Sequence, residues 1–247
     1  MEIVKYKKKK NNKYLITLSN GDSLELFEEV ILKNNLLIKK DIDSSDINFI
    51  INDQQFYSCY YDILKMIRVR PRSIYEVKTK MIKDKYDEEL VLDVIEKVKK
   101  QGYLDDKLFA TSYINNQIIT TNHGPRRISS DLKKKGVSSS VINEVISIYD
   151  NYVEEEKVSK IIDKMIKSNR NKGNNYLRRK IYNDLLRDGF SKSIVDKVIS
   201  SKEFGDDSEI KAREYEKIKA RLQKKYSGNE LEYKINDALI KKGFNIN

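Results

Sequence analysis

With 247 residues, a formal net charge of +11, 35% charged residues and no tryptophan, the chain can hold one or two ordinary domains but is sparing with large apolar side chains. Its consecutive apolar residues never number more than three, so a membrane-spanning helix and a signal-peptide core are not expected and the compartment expected is the cytoplasm. One cysteine and one histidine exclude an internal disulfide, a zinc ligand set and a Cys-His nucleophile pair.

The chain opens with strand patterns. Ile3 to Tyr6, Tyr14 to Leu18 and Ser23 to Phe27 read as short strands, the first two separated by Lys7 to Lys10 and Asn11-Asn12, the last two by the hairpin dipeptide Asn20-Gly21. Two readings stand for Lys5 and Lys7 to Lys10: a nucleic-acid contact, or charges that keep a sheet edge from pairing. Glu28 to Leu37 suggests a helix, followed by an acidic loop over Asp41 to Asp46 with a Ser-Ser-Asp cap before the short apolar stretch Ile47 to Ile51.

From about Phe56 the grammar changes to helices and repeats. Counting from Tyr86, Val137, Phe190 and Phe244, aliphatic residues stand nine positions before (Val77, Ile128, Ile181, Ile235) and five before (Met81, Leu132, Leu185, Leu239). Further apolar pairs follow the first three anchors at helical spacing, so each unit reads as helix, turn, helix. Gly136, Gly189 and Gly243 precede three anchors, where a helix ends most easily on a residue that tolerates positive φ. Lys85 holds that place in the first unit, which implies a strained turn or one of another type. Asp87, Ser138 and Ser191 follow the turns as helix caps, Ser73 and Glu76 fit a capping box, and Pro125 suits a first helical turn. With a leading helix in each unit, the expected fold is mainly α: tandem three-helix repeats in an elongated curved array behind a small β-hairpin element. The expected divisions are 1–55 for the β element, 56–104, 105–153 and 154–205 for three full repeats, and 206–247 for a partial one.

Charge is unevenly spread. Residues 1–55 are neutral overall, residues 56–153 carry +4 and residues 154–247 carry +7. Two windows lack acidic residues, Lys107 to Ser130 and Lys164 to Asn183, the latter holding Lys164, Lys167, Arg170, Lys172, Arg178, Arg179 and Lys180. Each is a candidate polyanion surface, and equally a solvated face whose cations lay their stems over the core. Ten and eleven residues before the anchors stand Arg127 and Arg126 in the second unit, and Lys180 and Arg179 in the third. Nothing points to catalysis. No glycine-rich loop is followed by Lys-Ser or Lys-Thr, His123 reads as a loop residue, and Cys59 beside Tyr60 and Tyr61 reads as a buried structural thiol. Asp87-Glu88-Glu89 and Glu154-Glu155-Glu156 read as charges complementing helix N-termini rather than metal ligands. No catalytic residue, metal site or cofactor is assigned.

Three motifs carry a resemblance: Arg70-Pro71-Arg72-Ser73 with Glu76-Val77, Gly102-Tyr103-Leu104-Asp105-Asp106 with Phe109-Ala110, and Gly124-Pro125-Arg126-Arg127-Ile128 with Asp131-Leu132 and Gly136-Val137. The chain resembles the RecX family of bacterial regulatory proteins, closely over about residues 56–150 and more loosely elsewhere. The resemblance implies a monomeric protein that lies in the groove of RecA-DNA filaments and inhibits ATP hydrolysis, strand exchange and coprotease function, modulating recombination, DNA repair and the SOS response. Single- or double-stranded DNA is a further partner to test. The candidate partner-binding residues are Arg70, Arg72, Arg126, Arg127, Arg178, Arg179 and Lys180. The alternative is a direct nucleic-acid reader of helix-turn-helix type, although Ser138 to Glu144, at the start of its recognition helix, offers no arginine or lysine to base edges.

Overall fold

The computed structural model describes residues 1–39, 41–169 and 171–246; Arg170 of the second basic window lies outside them. Three strands, β1 (Ile3–Lys8), β2 (Lys13–Leu18) and β3 (Ser23–Phe27), form an antiparallel sheet in the order β1-β2-β3. The first hairpin turns on Asn11 and Asn12, both left-handed at φ 59° and 55°, and the second on Gly21. Ile16, Leu18 and Leu26 are buried with Val30, Ile31 and Ile50 of α1 (Glu28–Lys33) and α2 (Ser44–Val69).

Helix α2 corrects the expected start of the helical region. Asp43 and Asp46 form a reciprocal capping box, with Asp46 N–H donating to Asp43 (2.8 Å) and Asp43 N–H to Asp46 (3.0 Å). The acidic cluster is therefore largely a helix start, and one 26-residue helix runs through residue 55, where a boundary was expected. Its middle carries Tyr57 and Tyr61 toward the sheet's core and Cys59 and Ile63 into the next one. Burial pushes the Cys59 thiol up to about 12, helped by the nearby Asp62 charge, which suits a packing residue.

Helices α3 (Ile74–Lys83) and α4 (Glu88–Lys100) follow, then α5 (Asp106–Thr120), α6 (Pro125–Lys134) and α7 (Ser139–Val145). Next come α8 (Asn151–Ser168), α9 (Asn174–Arg187) and α10 (Lys192–Ser201), and the described helices end with α11 (Ser208–Leu222) and α12 (Gly228–Lys241). By contacts the chain divides into two compact units, Met1–Phe109 with Lys135–Val137, and Ala110–Lys134 with Ser138–Asn247. The repeat register holds: Val77, Met81, Ile128, Leu132, Ile181, Leu185, Ile235 and Leu239 are all buried. Ser73 and Glu76 make the expected capping box, and Asp87 and Ser138 cap α4 and α7. Ser191 does not cap α10; its N–H and hydroxyl both reach the carboxylate of buried Glu154, at 2.5 and 3.1 Å.

Consecutive repeats meet through one recurring joint. The N-terminus of a middle helix lies on the left-handed turn of the following repeat. Gly124 N–H donates to Asp188 O (2.8 Å) and Arg126 N–H to Gly189 O (3.1 Å), while Gly173 and Asn175 donate to Lys242 O and Gly243 O at 2.9 and 3.2 Å. In the first repeat the Ser73 hydroxyl donates to Lys135 O at 2.6 Å. The first helical N–H is held separately: Ile74 donates to Asp106 (2.9 Å) and Asn174 to Asp207 (2.7 Å). Helix α6 begins with Pro125, which has no N–H to satisfy. Approach is so close that a Cβ at Gly189, whose φ is +89°, would meet the backbone of Arg127, and one at Gly124 would meet Gly189 and Phe190.

Two predictions follow from this packing. Gly189→Ala combines a left-handed strain with backbone overlap and is expected to cost more than about 2 kcal/mol, against about 1 kcal/mol for Gly21→Ala, which has the same hand in open space. Urea midpoints of the two variants test this. The second concerns buried Glu214 of α11, which accepts from Lys242 and from Lys217 (3.0 Å). The Lys242 hydrogen bond holds its carboxyl below the ordinary glutamate range, against the opposing effect of burial. A depressed folded value means stability that is present above the unfolded value and lost as pH falls through the folded one. The Glu214→Gln variant should therefore show a flatter acid limb below about pH 5 when ellipticity is followed during acid titration.

Candidate partner-binding surface

The seven candidate cations occupy different environments. Arg70 is exposed and pairs with Glu76 at 3.3 Å, while Arg72 is half-buried with an Nε that meets no partner among the described residues. Glu76 also accepts from Lys135 at 3.2 Å and from the Ser73 N–H. Burial raises its carboxyl, but the hydrogen bonds from Arg70 and Lys135 outweigh burial and leave it below the usual range. Arg70 is thus one arm of an ionic cluster that steadies the start of α3.

On α6, Arg127 reaches Asp188 of the following repeat at 2.9 Å and braces the joint. Arg126 gives its N–H to that joint, but its side chain is exposed and has no ion-pair partner among the described residues. On α9, Arg178 lays its guanidinium over the ring of Phe204, 3.9 Å from the centroid, and covers a face of this buried aromatic. Arg179 and Lys180 are exposed. Arg179 lines a cleft of about 370 Å³ beside Gly243 and Phe244.

The equivalence of Arg126-Arg127 with Arg179-Lys180, read by counting back from the anchors, does not hold at the joint. Helix α9 has 14 residues where α6 has 10, and both stop two residues before their turn glycines. The extra turn lies at the N-terminus of α9. The residue packed on the turn glycine is consequently Tyr176 there and Arg127 in α6. Arg179 and Lys180 sit one turn deeper along α9, roughly 12 Å from Asp188 by helical rise. Asp184, paired with Arg187, and Asp188, paired with Arg127, interrupt the positive surface between them.

Sequence reasoning missed a groove of about 670 Å³ lined by Ile118 and Ile119 of α5, Lys157, Lys160 and Lys164 of α8, and Arg187. Lys157 donates to Gln117 O (3.3 Å) and Ile118 O (2.5 Å), and burial lowers its pKa. It neutralises the carbonyl end of α5. The spacing of Lys157, Lys160 and Lys164 was the available signal, but their separation from α5 in the sequence hid the other wall. His123 lies in the loop before α6, where its carbonyl accepts from Tyr149 at 3.2 Å and its buried Nδ1 meets no partner among the described residues. Among the described residues no group of three or more His, Cys, Asp or Glu is arranged to hold a metal ion, and no helix is long and apolar enough to cross a membrane.

The second three-helix domain of RecX matches residues 105–146. Along nearly the whole chain the match is to proteins named regulatory protein RecX. The one from Oceanobacillus iheyensis is 26% identical over 96% of this chain and 90% of its own, and the one from Geobacillus sp. is 29% identical over 93% and 86%. The fold matches a crystal structure of regulatory protein RecX with a TM-score of 0.72 at 24% identity, over 81% of this chain and 99% of the other. A RecX structure from Lactobacillus salivarius matches with a TM-score of 0.57 at 25% identity, over 59% of this chain and 95% of the other. In sequence along nearly its whole length, and in fold, the chain is similar to proteins of the RecX family. Those relatives are named as regulatory proteins.

Ion pairing, not exposure, separates these cations: Arg70 and Arg127 are exposed but held by carboxylates, whereas Arg126, Arg179 and Lys180 have no ion-pair partner among the described residues. Arg127→Gln is expected to lower stability by up to about 1 kcal/mol, the range of an exposed ion pair, whereas Arg179→Gln and Lys180→Gln should each stay within about 0.5 kcal/mol of the parent. Chemical denaturation of the three variants measures the difference.

Proposed function

We propose that this protein binds RecA-DNA filaments and restrains the activities that need an intact filament: DNA-dependent ATP hydrolysis, strand exchange and coprotease function. The reading is carried by one observation, the match along nearly the whole chain, β element and last helical pair included, to regulatory proteins of the RecX family. Recurring helical units that expose cations without enclosing a catalytic cluster support it, since such surfaces suit a macromolecular partner better than a small substrate. The protein acts by binding and carries out no chemistry of its own. Arg126, Arg179 and Lys180 form the contact to the filament, while Arg70, Arg127 and Arg178 contribute by holding their helices in place, and Arg72 lies between the two groups.

The test is RecA ATP hydrolysis on single-stranded DNA with the protein in molar excess. Suppression is expected; an unchanged rate in both ATP hydrolysis and strand exchange would refute the proposal. Replacing Arg126, Arg179 and Lys180 together by glutamine should weaken suppression by tenfold or more while leaving the denaturation midpoint near the parent's.

A further inference from the structure

Strand β1 lies at an edge of its sheet, and the beginning of that edge is already paired. Met1 gives its amino group to Ile42 O and accepts from Ile42 N–H, both at 2.8 Å, and Glu2 bridges to Asp41. The pairing stops there because α2 begins at Ser44. Further along β1 the ladder decides which backbone groups face out. Lys9 N–H donates to Lys13 O at 2.8 Å, and antiparallel strands alternate, so Lys5, Lys7 and Lys9 turn their backbone groups to β2 while Tyr6 and Lys8 turn theirs to the open edge. A register shift between Ile3 and Lys5 accounts for the change of side from Met1. Among the described residues no backbone group of another segment reaches Tyr6 or Lys8 from that edge.

The same stretch carries a run of one charge. Lys5, Lys7, Lys8, Lys9 and Lys10 are exposed and have no ion-pair partner among the described residues. Lys8 rests over the Tyr14 ring, 5.9 Å from its centroid. No acidic residue occurs between Glu2 and Asp22, and the carboxylates of Glu2 and Asp41 stand at the opposite end of β1 from this run. Glu25 of β3 pairs with Lys13 and is separated from β1 by the width of β2. Such lysines repel the β1 of a second copy and so keep the open edge from pairing with itself. A charge that turns away a like strand favours an acidic one.

We infer that β1 takes up an acidic, extended segment of another polypeptide as an added strand, its backbone bonded to Tyr6 and Lys8 and its carboxylates beside Lys5, Lys7, Lys9 and Lys10. Main-chain bonds supply the affinity in this mode and side chains the selectivity. The chain's own Asp41 and Ile42 already use the start of the edge in this way. A phosphate chain would meet the lysines, but it brings acceptors alone and leaves the carbonyls of Tyr6 and Lys8 unpaired. A peptide backbone brings donors and acceptors in alternation, as the edge does. This contact does not rest on the filament reading, and its test contains no RecA.

The experiment titrates a short labelled peptide of alternating glutamate and threonine with the full chain and follows fluorescence anisotropy. The parent is expected to bind, and the Lys5→Gln/Lys7→Gln variant to bind about tenfold more weakly at low salt. The fully N-methylated peptide keeps its carboxylates but has no backbone donor, and it should also bind about tenfold more weakly. Lys8→Pro removes a donor that faces the open edge, where proline is tolerated, and should abolish binding. Circular dichroism checks that both variants are folded, and Arg179→Gln/Lys180→Gln should bind the peptide as the parent does. In the parent, amide hydrogen exchange at Tyr6 and Lys8 should slow when the peptide is bound. No binding by the parent, equal binding of the N-methylated peptide, or unchanged exchange at Tyr6 and Lys8 would each overturn the inference. A thymidine oligonucleotide that slows exchange at those two amides as the peptide does would assign the edge to nucleic acid and overturn it as well.

Discussion

Every repeat boundary in this protein depends on one exchange of hydrogen bonds. A helix leaves its first N–H groups without internal partners and its last carbonyls likewise, and each orphan costs free energy if buried unpaired. Here the two sets answer each other: the free donors at the start of α6 meet the free carbonyls of the turn that ends α9, and the start of α9 meets the turn after α12 in the same way. The positive end of one helix dipole faces the negative end of another. Buried Gly124 and Gly173 make that approach possible where the first repeat uses the hydroxyl of buried Ser73.

The joint explains the glycines better than turn geometry alone. A left-handed φ can be held by a lysine at modest cost, as Lys85 shows at +70°. The first turn is therefore of the same type as the others, with the strain of a side chain in that conformation. What excludes a side chain at residues 136, 189 and 243 is the neighbour lying on them: Tyr75, Arg127 and Tyr176 occupy the space a Cβ would need. Among the described residues no backbone donor of another helix reaches Lys85 O, and its Cβ is accommodated.

The local pattern was legible because it is local. Aliphatic spacing found eight buried positions, and the capping residues of α3, α4 and α7 stood where the turns required them. Three features escaped for a shared reason. The start of α9 depends on Gly173 meeting residues near 243, the role of Arg127 on Asp188, and the departure of Ser191 on Glu154. Each is fixed by a partner tens of residues away, which periodicity does not encode. At the start of α2 a Ser-Ser-Asp cap was expected before Ile47, and the cap is instead Asp43, which reaches Asp46 across those serines.

This division bears on how charge should be read in the family. A cation near a helix start is a poor guide to a binding surface when the same place is where repeats are joined. Arg127 is offset by Asp188, while Arg178 keeps its charge but is held flat on the Phe204 ring. Arg126, Arg179, Lys180, Lys65 and Arg68 are exposed and form no ion pair among the described residues, so a polyanion meeting them need break no internal pair. The net charge of +11 already cancels Arg127 against Asp188, so the excess resides on cations without such a partner. The proposed filament contact rests on cations whose side chains the joints do not use, and the joints set their spacing by fixing where each middle helix begins.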